Sequence, residues 1–226
     1  MRYCVSDIHG EYDLFIKLLK KINFNSHDTL YILGDIIDKG KDSIKLLKFI
    51  SKQNNMIAIM GNHEHAFSEF VKAVIDKTPT ENYNEIISKV QAYFSQDLER
   101  ITPQEVFFIL QLPYFIETEE FICVHAGLEI KDNKILPLEQ QQYNYIIYDR
   151  KFKNKNFEPL TKTILFGHTP CFYDNQDGKF IKSLKDNSSS NNFSSYSKIR
   201  LDTGVSYTKM LGVLRKEDMC EIYIKE

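Results

Sequence analysis

"LGDIIDKG", Leu33 to Gly40, follows the apolar residues Leu30, Tyr31 and Ile32 and sets two aspartates, Asp35 and Asp38, between two glycines. A short apolar run that ends in Asp and Gly reads as a buried strand delivering carboxylates at its carboxyl end. An ordinary turn needs one such residue. A pair in this spacing asks for chemistry beyond the turn.

The same unit recurs on either side. Arg2 to Val5 reads as a strand that leads into "SDIHG", and Leu14, Phe15, Leu18, Leu19 and Ile22 then mark one face of a helix. Ser43 to Lys52 carries Ile44, Leu47 and Ile50 at helical spacing, and Met56 to Met60 is a third strand that leads into "GNHEH". From about residue 64 to 112 the pattern is nearly all helical, an insertion of cap type. It includes a capping box with proline at the first helical position, Thr102-Pro103-Gln104-Glu105. Strands return at Phe121 to Val124 and Thr163 to Phe166, and the tail is β-rich at Ile199 to Leu201, Gly212 to Leu214 and Cys220 to Ile224. Lys185 to Lys198, "KDNSSSNNFSSYSK", reads as a mobile loop with no core of its own. Alternating strands and helices predict an α/β class.

Composition sets the frame. The chain has 226 residues, 42% hydrophobic and 27% charged, which suits one globular domain over residues 1–226. A formal net charge of -2 gives no global attraction to duplex nucleic acid or to anionic membrane. No run approaches the length of a membrane span and no signal peptide is visible, so the expected location is the cytoplasm. Cys4, Cys123, Cys171 and Cys220 are scattered without a C-x-x-C pair and read as reduced structural thiols.

The segments after the strands share one chemistry: "SDIHG", "GDIIDKG", "GNHEH", "VHAG" and "FGHTP". Beyond the carboxyl ends of strands in an α/β sheet, segments distant in sequence meet at one place. The sum is a polar set of Asp7, His9, Asp35, Asn62, His125 and His168. Carboxylate, imidazole and amide oxygen suit divalent first-row metals, and the lack of cysteine argues against a structural zinc knot. Six ligands exceed the need of one metal with open positions, so two metals sharing a carboxylate fit better, with Asp35 the natural bridge. Either aspartate taken singly would be an ordinary cap or turn residue. What outweighs that reading is that four of the six histidines, His9, His63, His125 and His168, fall in these clusters. His27 reads as an exposed loop residue and His65 as a residue beside the cluster.

These motifs, "DIHG", "GDIIDKG", "GNHE", "VHAG" and "GHT" in this order, resemble the signature of the phosphoprotein phosphatase family within the calcineurin-like metallophosphoesterases, especially its small bacterial and phage members. "LDTG", Leu201 to Gly204, resembles the strand that follows in the bacterial members. The resemblance implies a four-layer α/β/β/α sandwich and two divalent transition ions, commonly manganese with iron or zinc as alternatives. It implies that Asp7 and His9 hold the first ion, that Asp35 bridges, and that Asn62, His125 and His168 hold the second. It further implies that the ions activate a water as hydroxide, while His63, aligned by Asp38, protonates the leaving group. "YDR" suggests Arg150 as a phosphate clamp, with Asn62 also near the phosphate. Lys39 stands where relatives carry a second arginine, and lysine cannot make the planar two-pronged contact.

The expected activity is therefore phosphomonoester hydrolysis, first on phosphoserine or phosphothreonine of a protein or peptide. Alternatives are hydrolysis of diadenosine polyphosphates, nucleotides or RNA 5' ends, and an inactive metal-holding interaction module. The last is disfavoured because His63 and Asp38, useful only for catalysis, are both present.

Overall fold

The computed structural model describes residues 1–79, 82–186 and 192–226. Its strands are β1 (Arg2–Val5), β2 (Thr29–Ile32), β3 (Met56–Ala58), β4 (Phe115–Glu117), β5 (Phe121–Val124), a hairpin of β6 (Ile130–Lys131) and β7 (Lys134–Ile135), β8 (Thr163–Phe166), β9 (Ile181–Leu184), β10 (Tyr196–Arg200), β11 (Met210–Arg215) and β12 (Cys220–Lys225). Its helices are α1 (Tyr12–Lys21), α2 (Ser43–Ile50), α3 (Asn62–Lys77), α4 (Tyr83–Tyr93), α5 (Pro103–Leu110), α6 (Tyr143–Tyr148) and the single turn α7 (Val205–Thr208).

Among the described residues, two five-stranded sheets carry the fold, ordered β12-β11-β1-β2-β3 and β4-β5-β8-β10-β9. Strands β1, β2 and β3 run parallel, as do β5, β8 and β10, while β4, β9, β11 and β12 pair antiparallel. Side chains alternate faces along a strand, and this sorts the core into layers. Tyr3, Val5, Leu30 and Ile32 face α1, α2 and the helices of the insertion. Cys4, Tyr31, Leu33, Phe121, Cys123 and Leu165 fill the space between the sheets. Ile122, Val124, Ile164 and Phe166 meet α6 and Phe152 on the far side. The result is the expected α/β/β/α sandwich. Strands β1, β2, β5 and β8 are buried almost throughout because both of their faces are covered.

The helices of the insertion pack into the first core layer through Phe67, Val71, Val90, Phe94 and Ile109. The expected capping box forms, with the Thr102 N–H and hydroxyl donating to Glu105 at 2.8 and 2.7 Å. The cysteines are free; Cys4, Cys123 and Cys171 are buried and Cys220 half-buried.

One expectation needs correction. Of the supposed mobile loop at about residues 185–198, residues 187–191 lie outside the described residues, but the end of it is core. Phe193 and Tyr196 are buried between the sheets, and β10 begins at Tyr196. Lys198 is buried too, its ammonium donating to the carbonyls of Phe152, Lys153 and Lys155 at 2.9, 3.1 and 2.6 Å. Polar composition masked the strand because its charged residue is satisfied by distant backbone.

Candidate metal centre

The loops after β1 and β2 are laced together by backbone bonds. His9 N–H donates to the Asp35 carbonyl at 2.9 Å and Gly10 N–H to the Ile36 carbonyl at 2.7 Å. Gly34, at φ +82, lets this ribbon approach the loop after β3; a side chain there would strike the Gly61 backbone at 2.6 Å and the His125 ring at 2.9 Å. Asp7, His9, Asp35 and His168 all adopt left-handed φ, at 53°, 49°, 51° and 64°. Such a conformation costs a non-glycine residue about 1 kcal/mol or more, and clusters of it mark functional sites.

Asp35 lies between two pairs of imidazoles. Its Oδ2 is 3.6 Å from His9 Nε2 and 3.8 Å from His63 Nε2, and its Oδ1 is 3.3 Å from His125 Nε2. The His9 and His63 rings are 4.9 Å apart, and those of His125 and His168 are 5.0 Å apart. Donor atoms of His9, Asp35 and His63 fall within 4.8 Å of one another, and so do those of Asp35, His125 and His168. The Asn62 amide oxygen is 3.1 Å from His125 Nε2. Asp7 is buried beside this cluster but belongs to neither group; its carboxylate accepts from the Ser6 hydroxyl and, at 3.1 Å, from the His168 N–H. Burial, followed by the charge of Asp35, moves Asp7 up to about 6 against the pull of His125.

Three of the imidazoles are oriented by backbone. His9 Nδ1 donates to the Ile37 carbonyl at 3.0 Å and His125 Nδ1 to the Leu33 carbonyl at 2.8 Å. His168 bonds the Tyr148 backbone, while its Nε2 is buried with no hydrogen-bond partner. His9 and His125 thus turn Nε2 toward Asp35, the tautomer control typical of metal-ligating histidines. Burial lowers His9 to about 4 and, together with the charge of His125, lowers His168 to about 3, so both stay neutral and able to ligate. Burial opposes the charged form of His125 as well, but Asp35 outweighs it and raises that ring to about 10. An orphaned buried nitrogen and two groups of oriented donors around one carboxylate fit divalent cations.

His63 differs. Its Nδ1 donates to Asp38 Oδ2 at 2.6 Å, and the same oxygen accepts from the Tyr93 hydroxyl at 3.2 Å. Burial disfavours the charged ring, but the bond to Asp38 and the charge of Asp35 prevail and raise His63 above its ordinary value. Lys39 and Arg150 line one cleft with His9 and His168. Lys39 is closer in than expected, with Nζ 2.7 Å from His9 Nε2, on the lone pair a cation would take. His65 stands aside, stacked on Tyr143 at 5.2 Å, and His27 is exposed in a loop.

Three residues escaped the reading of the sequence. Glu64 is fully buried and accepts from the N–H groups of Asp35, Ile36, Ile37 and Gly61 at 2.8, 2.8, 3.0 and 2.9 Å, clamping the Asp35 loop to α3. Its position three residues after Gly61, in a capping box, was the available signal. Tyr93 comes from the insertion, and Lys198 pins residues 152–155, just beyond Arg150. Neither carries a local signal.

The chain resembles known proteins in the same direction. "Bis(5'-nucleosyl)-tetraphosphatase, symmetrical" of Haemophilus ducreyi is 31% identical over 130 residues, 56% of this chain and 44% of that protein. The protein of the same description from Buchnera aphidicola is 28% identical over 169 residues, 69% of this chain and 58% of its own length. The chain spans about half the length of these curated relatives. A solved structure described as a proposed diadenosine tetraphosphatase superposes with a TM-score of 0.68 at 20% identity, covering 99% of this chain and 92% of the other, which is a likeness of fold. Among the described residues no helix is long and apolar enough to cross a membrane. The model of the family described as calcineurin-like phosphoesterase matches residues 3–199, which carry β1 through β8 and every loop of this centre, and the chain belongs to that family of metal-dependent phosphoesterases.

Proposed function

We propose that this chain hydrolyses dinucleoside polyphosphates, cutting a tetraphosphate bridge symmetrically into two nucleoside diphosphates. The phosphoprotein substrate suggested by the motifs gives way to a nucleotide. The observation that carries the reading is the cleft in which two cations, Lys39 and Arg150, adjoin the imidazoles of His9 and His168, a surface suited to several phosphates in a row. The sequence relatives named as symmetrical tetraphosphatases support the same choice.

In this reading His9, Asp35, His125 and His168, with Asp7 and Asn62, would hold two divalent ions. When bound, the ions supply Lewis-acid charge at the phosphoryl group and a nucleophile at neutral pH. Arg150 and Lys39 bind phosphate oxygens, which requires Lys39 to swing off His9. His63 holds a proton on Nε2 and delivers it to the departing phosphate oxygen, while Asp38 and Tyr93 hold the ring in line. Glu64 keeps the Asp35 loop in register.

Manganese-loaded protein assayed against a dinucleoside tetraphosphate, an aryl phosphate and a phosphoserine peptide tests the proposal. The dinucleotide is expected to show the highest kcat/KM, with nucleoside diphosphate the sole product. A higher kcat/KM for the phosphopeptide would overturn it.

The pH profile follows from His63. An acid must be protonated, so turnover falls as pH rises through the His63 pKa. With that pKa raised, the alkaline limb lies above the ordinary imidazole value of about 6.5. Asp38→Asn removes the principal raising contact and should move the limb toward lower pH. An unmoved limb in kcat against pH would show that another group sets it.

A further inference from the structure

The cleft that holds Lys39 and Arg150 is also lined by Tyr173 and Tyr207. These are 58% and 69% exposed and share the cleft with its cations and imidazoles. Phe172 lies between them, its ring centroid 4.4 Å from that of Tyr173 and 5.6 Å from that of Tyr207.

The arrangement is built by the backbone. Gly204 takes φ +70 at the end of "LDTG" and opens α7, the single turn that carries Tyr207. A side chain at Gly204 would come within 2.5 Å of the Phe172 ring, so glycine is what leaves room for Phe172 to touch both tyrosines. The Ser206 hydroxyl, beside the same cleft, is buried with no hydrogen-bond partner. Planar apolar faces beyond two cations complement a nucleoside polyphosphate, whose phosphates meet the cations while its base meets the rings.

We infer that Tyr207 and Tyr173, braced by Phe172, form the stacking platform for one nucleobase of a nucleoside polyphosphate whose phosphates lie across Lys39 and Arg150. The inference rests on the dinucleotide reading above and adds the part of the substrate that the metals and cations cannot recognise. Because every base presents a flat face, the platform should accept purines and pyrimidines alike, larger rings more tightly.

The test is binding to the manganese-loaded chain by calorimetry, comparing adenosine 5'-tetraphosphate with inorganic tetraphosphate. Stacking on a protein ring sets the expectation that Tyr207→Ala lowers the preference for the adenosine compound about 5- to 150-fold, and Tyr173→Ala by a smaller factor. Tyr207→Phe should keep the preference, since stacking needs the ring and not the hydroxyl. The chain contains no tryptophan, so Tyr207→Trp supplies a single indole, excited apart from the tyrosines, whose emission adenosine 5'-tetraphosphate, but not inorganic tetraphosphate, should quench. An unchanged preference in both alanine variants overturns the platform, and so does a phosphoserine peptide that loses as much affinity as the nucleotide. Hydrolysis of a dinucleoside tetraphosphate by the wild type is scored separately. Cleavage with an unchanged preference rejects the platform and leaves the dinucleotide reading intact; a lost preference without cleavage supports the platform and rejects that reading.

Discussion

Asp35→Asn is expected to leave the chain folded and nearly devoid of bound metal. Elemental analysis after reconstitution of the wild type should give close to two divalent ions per chain, and the variant should fall short at both positions. The reason is geometric. One carboxylate oxygen faces His9 and His63 at 3.6 and 3.8 Å while the other faces His125 at 3.3 Å, so a single residue serves both groups of donors. Burial works against its charge, but His125, His9 and His63 hold its carboxyl well below the usual carboxylate range. Asparagine keeps the size and an oxygen to accept the His63 N–H now bonded at 3.2 Å, yet offers no charge to share. Loss of several kcal/mol of transition-state charge stabilisation predicts a fall in turnover of about three orders of magnitude or more. Circular dichroism and thermal melting separate this from unfolding. Full metal content and an undiminished rate in Asp35→Asn would sink the dinuclear reading.

His63→Asn should have the opposite signature, with metal retained and chemistry lost. The ring is held by Asp38 through Nδ1 at 2.6 Å, and Asp38 and Asp35 favour its charged form, which suits Nε2 to carry a proton to the leaving group. For alkyl phosphates, whose leaving alkoxide needs a proton, the expected loss is about two to four orders of magnitude, the scale of a general acid. Nucleoside diphosphates and phenolates leave as weaker bases, so the loss should shrink for a dinucleoside tetraphosphate and for aryl phosphates. Equal losses for every leaving group would count against His63 as the acid. A drop in bound metal would instead make it a ligand alongside His9 and Asp35, with which its donor atoms share a 4.8 Å group.

Both predictions start from residues that the sequence had already picked out, and the reason is local. A buried strand must end in a turn, and Asp, Asn, His and Gly after β1, β2, β3, β5 and β8 can be read from neighbours alone. The parallel strands are also legible, because Arg2–Val5, Phe121–Val124 and Thr163–Phe166 are apolar runs covered on both faces. The capping box at Thr102 belongs to the same class of signal, complete within four residues.

Local patterns along the chain thus suffice for the class of fold, the order of the loops and the chemistry they carry. Tertiary structure decided the rest, because those contacts join groups with no sequence relation. It placed the tail strand β11 against β1, with Arg215 opposite Tyr3 and Leu214 opposite Cys4. It turned Glu64 into the clamp on the Asp35 loop, Tyr93 into the partner of Asp38 across 55 positions, and Lys198 into the anchor of the segment beyond Arg150 across 46. It set Lys39 on His9 and brought Tyr173 and Tyr207 to one cleft. A buried carboxylate or ammonium is tolerable only where backbone partners converge on it, and convergence is a property of the folded chain that no stretch of residues displays on its own.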